Sequence, residues 1–205
     1  MKTILRFSPS LLLAALLVGG LASCIMEEKV IELVLKGETS AEFSYNDTNE
    51  IYQEETFIEL SEKIAEMIDD AGLDRDKIAS AFVVGVEYGV TAFDGTHDWA
   101  ISGDITIDST HDAAGFVPLV TYTSQSIQAA LGERLPQTLQ AGGVDAINGA
   151  LTDFLAGGTP VVTLRIENGD VEPPPNAGDP IVFTWQIWLT IQVTGEETLD
   201  VPDPF

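Results

Sequence analysis

The chain has 205 residues, with 33 acidic side chains against nine lysines and arginines, a formal net charge of −24. Acidity on this scale excludes a nucleic-acid partner gripped through its phosphates, and equally excludes docking on anionic headgroups through side chains, because both surfaces carry the same sign of charge. A single cysteine rules out an internal disulfide, so packing and hydrogen bonding have to hold the fold.

Residues 1–6 contain Lys2 and Arg6 and no acid, and residues 11–21 are almost continuously apolar. A basic start before a short apolar core is the layout of a secretory signal peptide. The run is shorter than the roughly 20 residues that a membrane-spanning helix requires. It closes on Leu21-Ala22-Ser23-Cys24. This stretch resembles the lipobox of bacterial lipoproteins at each of its four positions. The resemblance implies a diacylglyceryl group on the sulfur of Cys24, cleavage just before Cys24, and an acylated new amino terminus. Several acyl chains on one residue anchor stably, where a single chain is marginal. It further implies a signal peptide over 1–23, a lipidated cysteine with a short tether over 24–29, and a bacterial envelope location with the membrane as a covalent-lipid partner. Ile25 lacks the acid that marks inner-membrane retention in some lipoproteins of this kind, which points to the outer membrane and leaves the face open. An ordinary cleavable signal with a chance cysteine is the alternative. Losing residues 1–23 removes Lys2 and Arg6 and leaves seven bases against the same 33 acids.

The remaining length suits one domain, expected over 30–195 with an acidic tail at 196–205. Residues 30–36 and 41–45 have β character and flank Gly37-Glu38-Thr39-Ser40, which reads as a hairpin. Across 54–71, Phe57, Leu60, Ile64, Met67, Ile68 and Ala71 recur at helical spacing, acids crowd the first turn, and Gly72 offers a C-terminal stop. Residues 79–93 and 99–108 alternate as antiparallel strands joined at Asp94-Gly95. A shorter strand covers 116–123, two helices cover 124–132 and 144–156, and another strand covers 160–168. A proline-rich loop at 171–180 precedes the clearest alternation in the chain, 181–194. Ile181, Phe183, Trp185, Ile187, Leu189, Ile191 and Val193 face one way there, and polar residues with Trp188 face the other. The expected class is α+β, an antiparallel twisted sheet or β-sandwich of about seven strands with two helical insertions.

For chemistry, His97 and His111 stand beside Asp94, Asp98 and Asp112, but about ten extended residues hold the two histidines some 30 Å apart, too far to share one ion. The oxygen-rich clusters Asn46, Asp47, Asn49, Glu50 and Asp69, Asp70, Asp74, Asp76 lack the EF-hand spacing. Neither a Gly-x-Ser-x-Gly elbow nor a phosphate loop occurs. No metal or cofactor is expected. Trp188, with Gln186, Thr190 and Gln192 at period two, presents an aromatic plane among amides and hydroxyls, suited to stacking on a sugar or anchoring a protein partner. These features predict a non-catalytic binding, scaffolding or assembly domain whose partner is an envelope protein or glycan. Two alternatives stand beside it: an envelope glycan hydrolase using paired carboxylates, and a calcium-stabilised adhesive module.

Overall fold

A computed structural model describes residues 29–95, 97–109, 115–176 and 178–199. Among these the strands are β1 (Lys29–Asp47), β2 (Ile51–Tyr52), β3 (Glu55–Ile58), β4 (Ile78–Asp94), β5 (Ala100–Ser109), β6 (Val117–Ser126), β7 (Leu135–Pro136), β8 (Val162–Glu172) and β9 (Ile181–Leu199). The helices are α1 (Leu60–Asp70), α2 (Ile127–Ala130) and α3 (Ala141–Leu155), and a 3-10 turn covers Arg75–Lys77. All pairing between strands is antiparallel. One sheet has the order β1-β9-β4-β7, and the other β2-β8-β5-β6 with β3 also on β8. The architecture is β-rich α+β, with nine strands among the described residues instead of about seven.

The alternation of β9 survives intact, because all seven of its inward side chains from Ile181 to Val193 are buried. Full burial of such side chains stabilises by about 1.5–3 kcal/mol each. Trp99, Ile101, Ile105 and Ile107 supply the matching inward row of the second sheet. The strands of the first sheet are much longer, with 19, 17 and 19 residues in β1, β4 and β9, than the 10, 10 and 11 of β5, β6 and β8. The second sheet therefore faces only part of the first, and the helices close the rest. Met67 of α1 lies on Gly37 of β1, Leu73 lies 3.1 Å from where a Cβ on Gly195 would sit, and Arg75 rests over Phe154 of α3 at 3.9 Å. Asn148 of α3 accepts a hydrogen bond from the backbone of Val83 at 3.0 Å.

Where the two sheets meet, the core is aromatic. Trp185 stacks on Tyr88 with centroids 4.6 Å apart and lies 5.1 Å from Tyr122. The hydroxyls of Tyr52 and Tyr122 meet at 2.5 Å inside this layer.

Several expectations need correction. Residues 37–40 are not a turn: β1 runs straight through them, with Gly37 opposite Ile191 and Ser40 opposite Trp188. Gly37 makes room for the Met67 thioether, which a Cβ there would strike. The helix expected over 54–71 starts only at Leu60. Its first part is the edge strand β3, where Phe57 is 62% exposed while Ile58 and Leu60 are buried, since pairing with β8 outweighs the helical spacing. The helix expected at 124–132 shrinks to four residues because β6 continues to Ser126, and β8 extends past Asn168 to Glu172. The expected tail is strand as far as Leu199, so 29–32 and 196–199 form a two-stranded ribbon beyond the last β4 partner, where Ile78 meets Gly195. Cys24 and the residues from 200 onward lie outside the described residues. No helix among the described residues is long and apolar enough to cross a membrane.

The paired hydroxyls give a stability prediction. Tyr52→Phe or Tyr122→Phe alone strands a buried hydroxyl and costs about 1–3 kcal/mol, whereas the double replacement costs less than the sum of the singles, as read from urea unfolding curves. Burial pushes the Tyr52 and Tyr122 phenols well above 10, and burial with the nearby Asp47 and Glu54 charges pushes Tyr45 to about 12. Burial also raises Tyr88. Raised folded values make this stability complete below pH 10 and progressively lost as pH climbs through the folded values, because the unfolded chain releases its phenolic protons first. Tyrosinate absorbance is expected to appear together with alkaline unfolding; four phenols titrating near pH 10 in a folded chain would contradict the packing.

Candidate functional site

The outer face of the long sheet carries the side chains that β9 turns away from the core. Trp188 sits in its middle, opposite Ser40 of β1 on one side and Glu87 of β4 on the other. The neighbouring β4 position is Gly89, and a Cβ there would lie 3.4 Å from the indole Cζ3. The missing side chain leaves a trough in which the ring lies half-buried.

A loop covers this trough. The amide of Gly132 donates to Val90 at 2.9 Å, the amide of Gln137 donates to Val86 at 3.0 Å, and β7 pairs with Glu87 and Tyr88. Gly132, at φ +76°, provides the backbone turn that starts the crossing. The loop delivers Arg134 onto Trp188, with the guanidinium carbon 4.5 Å from the ring centroid, within the range of a cation–π contact. Arg134 Nη2 is 2.5 Å from Glu38 Oε2 and 2.7 Å from Glu87 Oε2. The Glu38 hydrogen bond first, then the charges of Glu38 and Glu87, hold this guanidinium above its ordinary value despite some opposing desolvation. Because both carboxylates reach one nitrogen, their oxygens stand no more than about 5 Å apart, close to the carboxyl spacing of a retaining glycosidase.

The four residues singled out in the sequence are all on this face. Gln186 donates to Ser40 Oγ at 3.0 Å, Thr190 lies between Glu38 and Gly85, and Gln192 lies between Lys36 and Phe82. The indole plane is not free, however, because Arg134 occupies it. Arg134, Glu38 and Glu87 escape the sequence reading because they come from a loop and two other strands. The one available signal is the scarcity of bases in so acidic a chain.

Other candidate groups are spread apart. His97 Nδ1 is 2.7 Å from Asp179 Oδ2 in the β8–β9 connection, with its ring 5.4 Å from Trp99; His111 and Asp112 lie outside the described residues. In the first acidic cluster Asp47 accepts from the Thr48 amide and from Asn49 Nδ2, each at 2.6 Å, which ties this carboxylate into its own turn. On the second sheet Asp104 accepts from Thr121 at 2.6 Å and from Asn168 at 2.8 Å, and Gln140 donates to Thr121 at 2.7 Å. Among the described residues no three His, Cys, Asp or Glu side chains gather into a metal-holding group. A shallow hollow of about 320 Å³ is lined by Gln53, Glu54, Glu55 and Arg165.

Arg134→Ala is expected to uncover Trp188 and increase acrylamide quenching of tryptophan fluorescence, a change assignable to Trp188 because Trp99 and Trp185 are 2% and 1% exposed. Gly89→Ala drives a methyl into the Glu133 carbonyl; it is expected to raise quenching likewise and to cost about 1–3 kcal/mol. Compared with protein-family models, with characterised proteins and with solved structures, the chain matches none, so the reading of this face rests on its own side chains.

Proposed function

We propose that this chain is a lipid-anchored protein of a bacterial envelope whose α+β domain works as a binding, scaffolding or assembly module. The observation that carries the reading is the Leu21-Ala22-Ser23-Cys24 stretch placed five residues ahead of Lys29, where β1 begins. A lipid on Cys24 then needs no side-chain attraction to an anionic surface, which an acidic chain could not supply. So short a tether holds the domain close to the bilayer, which suits a partner embedded in, or lying along, the same membrane.

The outer face of the long sheet supports a protein partner over a glycan. Arg134 lies where a sugar ring would stack, and the remaining surface, with Thr190, Gln192 and Thr194 beside the exposed Phe82 and Val84, offers hydrogen-bonding groups edged by apolar ones. Cys24→Ala is expected to move the protein from the membrane to the aqueous fraction. In a crosslinked pull-down from solubilised envelope, Thr190→Arg and Gln192→Arg are expected to remove partners that the unaltered chain retains. Partners unaffected by both substitutions would place the binding surface elsewhere.

The close approach of Glu38 and Glu87 beside Trp188 favours a second, weaker reading as a glycan hydrolase. The intervening guanidinium and the flat sheet surface weigh against it, because the pair lacks both the space for a sugar and the dry cleft in which an acid stays protonated. Release of reducing ends from envelope glycan by the purified protein, abolished by Glu38→Gln, would reinstate it.

A further inference from the structure

A sheet edge exposes unpaired backbone groups and invites another strand unless it is blunted. Three edges of this fold are blunted. On the edge of the second sheet, β2 and β3 are two and four residues long, with Gln53 and Glu54 separating them. At its opposite edge β6 carries Pro118 near its start and is covered by α3, which presses Gly143 against Leu119, and by the Gln140 amide bonded to the Leu119 carbonyl. The β4 edge of the long sheet is occupied from Val83 to Val90 by Asn148, the 131–137 loop and β7.

Among the described residues the fourth edge, β1, is neither short nor interrupted by proline, and no loop is hydrogen-bonded along it. It is 19 residues long and pairs with β9 from Lys29 to Asp47 without a bulge. Among the described residues no further backbone hydrogen bond reaches it. Its early part is also the most apolar: Val30 is 62% exposed and Val34 40% exposed on the outer face, while Leu33 and Leu35 are only partly buried on the inner face. Glu32 and Lys36 project outward, both exposed and neither in an ion pair among the described residues. Glu32 instead faces Glu196 across the ladder, a like-charge pair that a cation would relieve.

The order of residues along this edge is self-complementary. When the segment is laid antiparallel on a copy of itself with Val34 opposite Val34, Leu33 meets Leu35, Glu32 meets Lys36, and Ile31 meets Gly37. Symmetry repeats each contact, and every pair shares a face of the sheet, as opposed residues must. We propose that β1 is the contact surface for a second copy of this chain, joined by antiparallel β1–β1 pairing about a two-fold axis through Val34. The result is one continuous sheet across both copies, with two Glu32–Lys36 pairs on its outer face and Leu33–Leu35 packing on its inner face. The interface is isologous and closes on itself. It does not depend on the lipid reading, yet it accommodates it. The two Lys29 residues are about 34 Å apart at 3.4 Å per residue, so strands lying along one bilayer leave both Cys24 residues within reach of it.

Charge exchange tests the register. The full chain is purified in density-matched detergent and its self-association measured by sedimentation equilibrium. Glu32→Lys alone and Lys36→Glu alone each put like charges opposite one another twice, and each is expected to weaken dimerisation by about tenfold or more. The double exchange restores the pairs and is expected to return the dimer to within about threefold of the original. Co-occupancy of a micelle by independent anchors is insensitive to these exchanges. Because both positions are exposed, the far-ultraviolet circular dichroism spectrum is expected to stay unchanged, so that a lost dimer is not a lost fold. Separately, Val34→Cys in a Cys24→Ser background is expected to yield a disulfide-linked dimer on mild oxidation, since directly opposed residues meet the distance a disulfide requires, while Ser44→Cys in the same background gives none. A chain monomeric at every concentration, single exchanges without effect, or a double exchange that fails to restore association each overturns the proposal. The monomeric result would return the edge to a strand from a different protein.

Discussion

The whole molecule depends on one strand having neighbours on both sides. β9 pairs with β1 along its entire length and with β4 along most of it, while its inward side chains from Ile181 to Val193 form the middle of the core. A slip of one residue would put seven large apolar side chains in water and Gln186, Trp188 and Gln192 inside. Strict alternation therefore fixes the register of three long strands at once. The shorter second sheet and the helices then fill the space that register leaves.

This dependence explains what could be read from the sequence. The strands that bury one face, 181–194, 79–93 and 99–108, announce themselves by period two, and the inward rows of the first and last are found in the core. In 79–93 the bulge between Val83 and Gly85 switches the row, so that Val86, Tyr88 and Val90 are buried while Phe82 and Val84 are exposed. The α3 stripe of Ile147, Leu151 and Phe154 is likewise legible and buried. What failed was governed by neighbours remote in the chain. Gly37 and Ser40 look like turn residues when taken alone; only Met67 and β9 show why they belong to a strand. Glu55 to Ile58 continues a helical spacing, yet β8 claims it as an edge. For the candidate site, β9 revealed the even-numbered row with Trp188. It had no means of revealing Arg134, Glu38 or Glu87, which converge only after three strands and a loop assemble.

The way this acidic chain uses its few bases has a common form. Arg134 spans Glu38 and Glu87 while lying on Trp188. Arg165 spans Glu55 and Glu167 while lying on Phe116. Arg75 lies on Phe154. In the first two cases one planar cation offsets the repulsion between carboxylates from different strands and covers an aromatic ring that would otherwise be wet. Exposed ion pairs of this kind add little individually. Their effect here is to hold the 131–137 loop and the broken edge strand in place, and so to decide which parts of each sheet face remain available to a partner.

The ribbon formed by 29–32 and 196–199 has a kinetic consequence. Among the described residues β1 is the first strand along the chain, and β9, the last, is its only strand partner. Pairing β1 thus has to wait for β9: even the nearest contact, Asp47 with Ile181, closes a loop of well over a hundred residues, which makes for slow folding. For the exported protein proposed above, such delay would be useful, because β1 would stay unfolded and threadable until β9 emerges. During the same interval the apolar run from Val30 to Leu35 waits without its partner. The lysines bounding it at 29 and 36 are charged interruptions of the sort that discourage premature aggregation.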